Sequence, residues 1–119
     1  MTNRRELVVY CAGPFRSPHA WGITANIFTA AQWSLEVWRA GFVALCPHLN
    51  TAPFQGSLPD EVWLDGDLEL VKRSDAVLLL PRWEESAGAR SEKAFAEDQG
   101  IPCFTVIADL EAWADVTQR

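Results

Sequence analysis

The sequence predicts an α/β fold: a three-layer sandwich in which a small open parallel sheet, flavodoxin- or Rossmann-like, carries helices on both faces. Three observations predict it. Four short apolar runs, at 6–12, 42–47, 75–80 and 101–107, read as buried strands. Helix-length segments lie between them, and this alternation implies parallel βαβ units with right-handed crossovers. Glycines stand where helices should stop, at Gly41 and Gly100.

In chain order, "ELVVYCA" (6–12) is the first strand, its apolar run of about seven residues being too short for a signal peptide. A long helix over 20–40 leads to "FVALCP" (42–47), the second strand. A polar loop, "HLNTAPFQGSLP", separates it from a helix that starts at Asp60 and ends near Arg73. "DAVLLL" (75–80) is the third strand and 88–99 the third helix; "IPCFTVI" (101–107) and a helix from Asp109 complete the set. No linker or repeat divides the chain, so residues 1–119 are expected to form a single domain.

Composition limits the function. At 119 residues, 49% hydrophobic and 22% charged, the chain can bury a core without disulfides or metals. A net charge of −6 argues against a nucleic-acid polymer as partner, since affinity for phosphate backbones is built from Lys and Arg. A nucleotide ligand would have to be small and held locally. No apolar run approaches the roughly 20 residues of a membrane span. Cys11, Cys46 and Cys103 are scattered among strand-like runs and read as core thiols of a cytoplasmic protein. No ligand cluster points to a metal, and no cofactor is expected. The six tryptophans, Trp21, Trp33, Trp38, Trp63, Trp83 and Trp113, exceed what so small a core holds, so some are expected to face another subunit of a homodimer or larger homo-oligomer.

Ligands of open parallel sheets bind beyond the carboxyl ends of the strands, where the strand order reverses. The loops expected there are chemically loaded. After the first strand, Gly13 permits tight backbone passage, Pro14 adds rigidity, Phe15 a stacking face and Arg16 a bidentate anion donor. After the second come His48, as a polar contact or proton carrier, and Asn50. After the third, Trp83 is a candidate pocket wall, Ser86 a helix N-cap, and Gly88 and Ala89 let helix-start amides approach an anion; Glu84 and Glu85 read as solvated charges.

Two carboxylates fall on packing stripes. Glu92 shares a helical face with Phe95, Ala96 and Gln99, and Asp67 falls within the stripe of Leu64, Leu68 and Val71. An acid in such a position is costly unless paired or functional. The helix macrodipole is expected to favour the ionised form of Glu92.

"VYCAGPF", "DLELVKRSD" with Asp67 eight residues before Asp75, and "SAGARSE" with Ser86 six before Glu92 together resemble the nucleoside 2-deoxyribosyltransferase family. The similarity is greatest to its hydrolytic relatives, the deoxynucleoside 5′-monophosphate N-glycosidases, and spans about residues 7–107. The resemblance implies that Glu92 is the catalytic glutamate acting at the anomeric carbon, that Asp67 engages the nucleobase and helps it leave, and that Tyr10 positions the carboxylate. Ser86, where the transferases carry an aspartate, and Arg16 imply a phosphorylated ligand; Asp75 is expected to be structural.

The expected activity is cleavage of the N-glycosidic bond of a nucleoside or deoxynucleoside 5′-monophosphate, by hydrolysis or transfer. Two other readings fit the same residues. One is a nucleotide-binding or sensing module without chemistry, in which Arg90 pairs with Glu92 and silences it. The other is an inert scaffold acting through its tryptophan-rich surface.

Overall fold

The computed structural model describes residues 3–117. A 3₁₀ turn at Arg4–Glu6 precedes β1 (Val8–Ala12), α1 (Ala20–Arg39), β2 (Val43–Leu45), α2 (Pro47–Thr51) and a 3₁₀ turn at Ala52–Phe54. Then come α3 (Asp60–Lys72), β3 (Ala76–Leu79), a 3₁₀ turn at Trp83–Glu85, α4 (Ala87–Asp98), β4 (Cys103–Phe104) and α5 (Ile107–Thr117). All strand pairs are parallel, in the order β2-β1-β3-β4. The fold is therefore the expected three-layer α/β sandwich.

Alternation along the strands builds its two cores. Val9 and Cys11 of β1, with Leu78 and Leu80, face α1 and α5, where they meet Ala30, Val37, Leu110 and Ala114. Tyr10 and Ala12, with Val77 and Leu79, face α3 and α4, where they meet Val71, Ala89 and Ala96. Gly41 and Gly100 follow α1 and α4 with φ of 98° and 75°, the left-handed conformation that ends a helix without a Cβ penalty. Asp75, at the amino end of the sheet, accepts the Val8 amide through Oδ2 at 2.8 Å.

The elements differ from the sequence expectation in several places, the first two strands being shorter than expected, at Val8–Ala12 and Val43–Leu45. The polar loop after β2 folds as α2, opened by Pro47, whose fixed φ and missing N–H suit a first helical position, and a 3₁₀ turn with Pro53 second. The fourth strand keeps only Cys103–Phe104, because α5 starts at Ile107, two residues earlier than expected. Of the two expected packing stripes, Leu64 and Gln99 are exposed.

The order of strands reverses between β1 and β3, whose connections leave toward opposite faces of the sheet. A crevice opens at their carboxyl ends. Gly13 passes so near β3 that a Cβ there would lie 2.9 Å from Leu80 Cβ. Gly13→Ala is accordingly expected to destabilise the fold by about 1–3 kcal/mol, the typical cost of overpacking. Urea unfolding at neutral pH checks this, and an unchanged midpoint would show that the loop can move away freely.

Candidate active site

A cavity of about 540 Å³ occupies this crevice, walled by the loop after β1, by α2, by the first two turns of α3 and by the start of α4. Its floor carries the two acids on packing stripes.

Tyr10 is fully buried, and its phenol must find a partner. It donates a hydrogen bond to Glu92 Oε2, which joins the centre of the sheet to the second turn of α4. Burial is the main influence on Glu92: it raises the carboxyl to about 7, the nearby Asp67 charge adds to the rise, and the Tyr10 hydrogen bond opposes it. The expected dipole effect is overridden, because Glu92 lies beyond the first turn, where that effect has faded. Burial also raises Asp67 to about 6. Tyr10 itself is held well above the usual phenol range, first by burial and then by the charges of Glu92 and Asp67, so it stays protonated as a donor.

The loop after β1 and the α2 segment form the opposite wall. His48 is buried, and its Nε2–H donates to the Pro14 carbonyl at 2.8 Å, which leaves Nδ1 as an acceptor without a partner. Burial lowers its pKa, so His48 is a neutral clamp between loop and helix. Phe15 meets its ring edge-on, with centroids 5.4 Å apart. Arg16 stands at the rim, paired with Asp60 at 2.6 Å, both side chains largely exposed.

At the start of α4, Ser86 Oγ accepts the Ala89 amide at 3.1 Å as an N-cap. The Ala89 amide is thereby occupied, which corrects its expected part in an anion cradle. At the start of α4 the Ala87 and Gly88 amides have no partner among the described residues. A Cβ at Gly88 would meet only Ser86 Oγ, at 3.8 Å, so the space around this position is open. Arg90 turns away from Glu92: its Nη1 donates to the Glu84 carbonyl at 2.6 Å.

Of the candidate residues, Tyr10, Asn50 and Trp83 do not line the cavity; Tyr10 lies beneath it and reaches it only through Glu92. Once the loop becomes a helix, Pro47, His48 and Thr51 face inward and Asn50 faces solvent. Trp83 packs behind α4 against the core below Tyr10, with the Lys93 ammonium 5.6 Å from its ring centroid. Conversely, Glu85, Asp60 and Trp63 line the cavity. Trp63 stacks on Phe54, with centroids 6.5 Å apart, and its buried indole N–H has no partner. Asp60, Trp63, Leu64 and Asp67 recur at helical spacing along α3, a signal that could have marked the whole face.

These features define an α/β protein with an acidic cavity at the topological switch point of a parallel sheet. The same fold occurs in a 2-deoxyribosyltransferase from the psychrotolerant bacterium Bacillus psychrosaccharolyticus, described as a biocatalyst for nucleoside synthesis: TM-score 0.62, 17% identity, 81% of this chain and 69% of that one covered. The chain belongs to the family described as "Domain of unknown function (DUF4406)", which matches residues 7–105. No curated protein matches its sequence.

The raised acid makes stability depend on pH. Glu92 folds with a carboxyl near 7 against an ordinary 4.5, so its stabilising share is complete below pH 4.5 and lost as pH rises toward 7. Glu92→Gln still accepts from Tyr10 but cannot ionise. Its stability relative to wild type is expected to grow between pH 4.5 and 7.5 by up to about 3 kcal/mol, since each tenfold change in proton affinity is worth about 1.4 kcal/mol. Urea titrations across that range measure it; a constant difference would mean that the carboxyl is well solvated.

Proposed function

We propose that the protein cleaves the N-glycosidic bond of a nucleoside or 2-deoxynucleoside 5′-monophosphate, passing the sugar to water or to a second base. One observation carries the reading: two carboxyls with raised proton affinity, Glu92 and Asp67, the former tied to Tyr10, share the cavity at the switch point. The deoxyribosyltransferase fold supports it.

Breaking this bond passes through an oxocarbenium-like state that needs a carboxylate at the anomeric carbon and an acid at the departing base. Glu92, held by Tyr10, supplies the carboxylate and bonds to or steadies the anomeric carbon. The electron pair of the C–N bond leaves with the base, which takes its proton from Asp67. Water then adds its oxygen to the sugar and returns a proton to the acid pair. Between about pH 6 and 7 the pair holds one proton. The developing sugar cation favours the Glu92 carboxylate and leaves that proton for Asp67 to donate.

The 5′-phosphate would lie at the start of α4, against the Ser86 hydroxyl and the free Ala87 and Gly88 amides, with Arg16 exchanging Asp60 for the phosphate. A silenced site would hold Glu92 on Arg90. Since Arg90 is engaged at Glu84 instead, the catalytic reading is favoured over the sensing module.

Chromatography of a nucleotide panel should detect free base, with rates lowered roughly 10²–10⁴-fold by Asp67→Asn and at least as much by Glu92→Ala. The kcat/KM profile should be bell-shaped with limbs near pH 6 and 7. No base released from any nucleoside or nucleotide would overturn the proposal.

Phosphate recognition has its own measurement. Ser86→Ala and Arg16→Ala should each raise KM for a monophosphate roughly 10- to 100-fold, the worth of a hydrogen bond to a charged group, and leave the matching nucleoside unaffected. Equal losses on both substrates would remove the phosphate from that subsite.

A further inference from the structure

The outer face of α1 has no occupant in the single chain. Trp21, Phe28, Leu35 and Trp38 are exposed by 76, 64, 48 and 51%. With Thr24 and Ala31 they recur at alternating steps of three and four residues, the spacing of a heptad seam, and cover an arc of about 100°. The buried residues of the helix, Ala30, Ser34 and Val37, lie on the opposite side. The stripe is thus a second apolar face, separate from the one that packs on the sheet.

We propose that this face is the interface of a homodimer in which α1 pairs antiparallel with α1 of a second copy. A two-fold axis between residues 29 and 30 matches positions equidistant from it. It sets Phe28 against Ala31 and Leu35 against Thr24 of the second copy, large against small, and Trp21 against Trp38 at each end. One stripe therefore complements itself, as an isologous interface requires.

Charge and area agree with this occupant. A chain of net charge −6 repels its own copy, yet α1 carries no charged side chain before Glu36, so the part of the helix that would lie nearest the axis brings no like charges together. Counting about 150–250 Å² for a fully exposed aromatic, the exposed parts of the four large side chains amount to roughly 500 Å². A stable interface takes about 800 Å² from each partner, so this stripe alone supplies more than half and its flanks complete it. A patch of this size is at the upper end of the range of about 300–600 Å² for a monomer's largest apolar patch, which is often a functional one.

Light scattering after gel filtration, at tens of micromolar chain, should give twice the 13.3 kDa of one chain. Phe28→Glu, at an exposed position, should give 13.3 kDa with an unchanged circular dichroism spectrum. A monomeric wild type, or a Phe28→Glu variant that stays dimeric, would overturn the interface. Under mild oxidation the double variant Trp21→Cys/Trp38→Cys should form a disulfide-linked dimer that neither single variant forms. Cross-linking of a single variant would overturn the antiparallel register.

Discussion

The hydrogen bond from Tyr10 to Glu92 is the contact on which the site depends. Strand alternation turns Tyr10 toward α4, at the centre of the sheet, where its hydroxyl has no water to bond. A carboxylate is the partner offered, and it must come from the face of α4 that packs on the sheet. Ala89 and Ala96, three residues before and four after Glu92, are both buried and small enough to let the helix lie close. The rotation of α4 about its axis is therefore fixed by two alanines and one acid. Replacing the acid by an apolar residue would leave a buried phenol unpaired, and replacing Tyr10 by one would leave the acid without its donor.

Holding a carboxyl there costs free energy. Desolvation exceeds the help from the tyrosine, so Glu92 takes up protons near neutrality, and the same influence acts more weakly on Asp67. The surrounding walls do not relieve this. His48 is neutral and committed to Pro14, Arg16 is held at the rim by Asp60, and Arg90 turns outward to a carbonyl. No cation among the described residues is placed to hold either acid in its charged form. In the proposed reaction, the developing glycosyl cation would bring beside Glu92 the positive charge that these walls do not supply.

The strand-helix alternation made the fold legible, because buried parallel strands are short apolar runs and the helix stops after α1 and α4 carried Gly41 and Gly100. Glu92 and Asp67 were legible for a similar reason: a charge on a packing stripe breaks a period that the sequence displays. What escaped was local. The segment after β2 reads as a loop by polarity, but Pro47 starts α2 and Pro53 lies in the first turn of the 3₁₀ segment, which together bring Thr51 and Gln55 to the cavity and send Asn50 to solvent. The stripe of Leu64 and Leu68 reads as core because periodicity marks a face without saying what covers it. Here the upper half of that face borders the cavity, and only Val71 near the end of α3 is fully buried. The ionisation of Glu92 escaped for want of depth: helix position can be read from spacing, whereas desolvation depends on the other elements packed around the group.

The same limit applies to the tryptophans, whose number suggested a surplus over the core. Trp33 and Trp113 pack against the core under α1 and α5, Trp83 supports α4, and Trp63 forms part of the cavity wall. Trp21 and Trp38 are left, near opposite ends of one helix and on its outward face. A surplus scattered over the surface would need no explanation, since single exposed apolar side chains are common. These two instead mark the ends of a continuous seam on a helix whose inner face is already satisfied by Ala30, Ser34 and Val37. The inner face accounts for the sandwich, and its small residues let α1 lie close to the sheet. It leaves the outer seam without a cause in the single chain. The sheet thus separates two features: the cavity with its two acids lies between α3 and α4, and on the opposite side α1 presents its large apolar side chains outward.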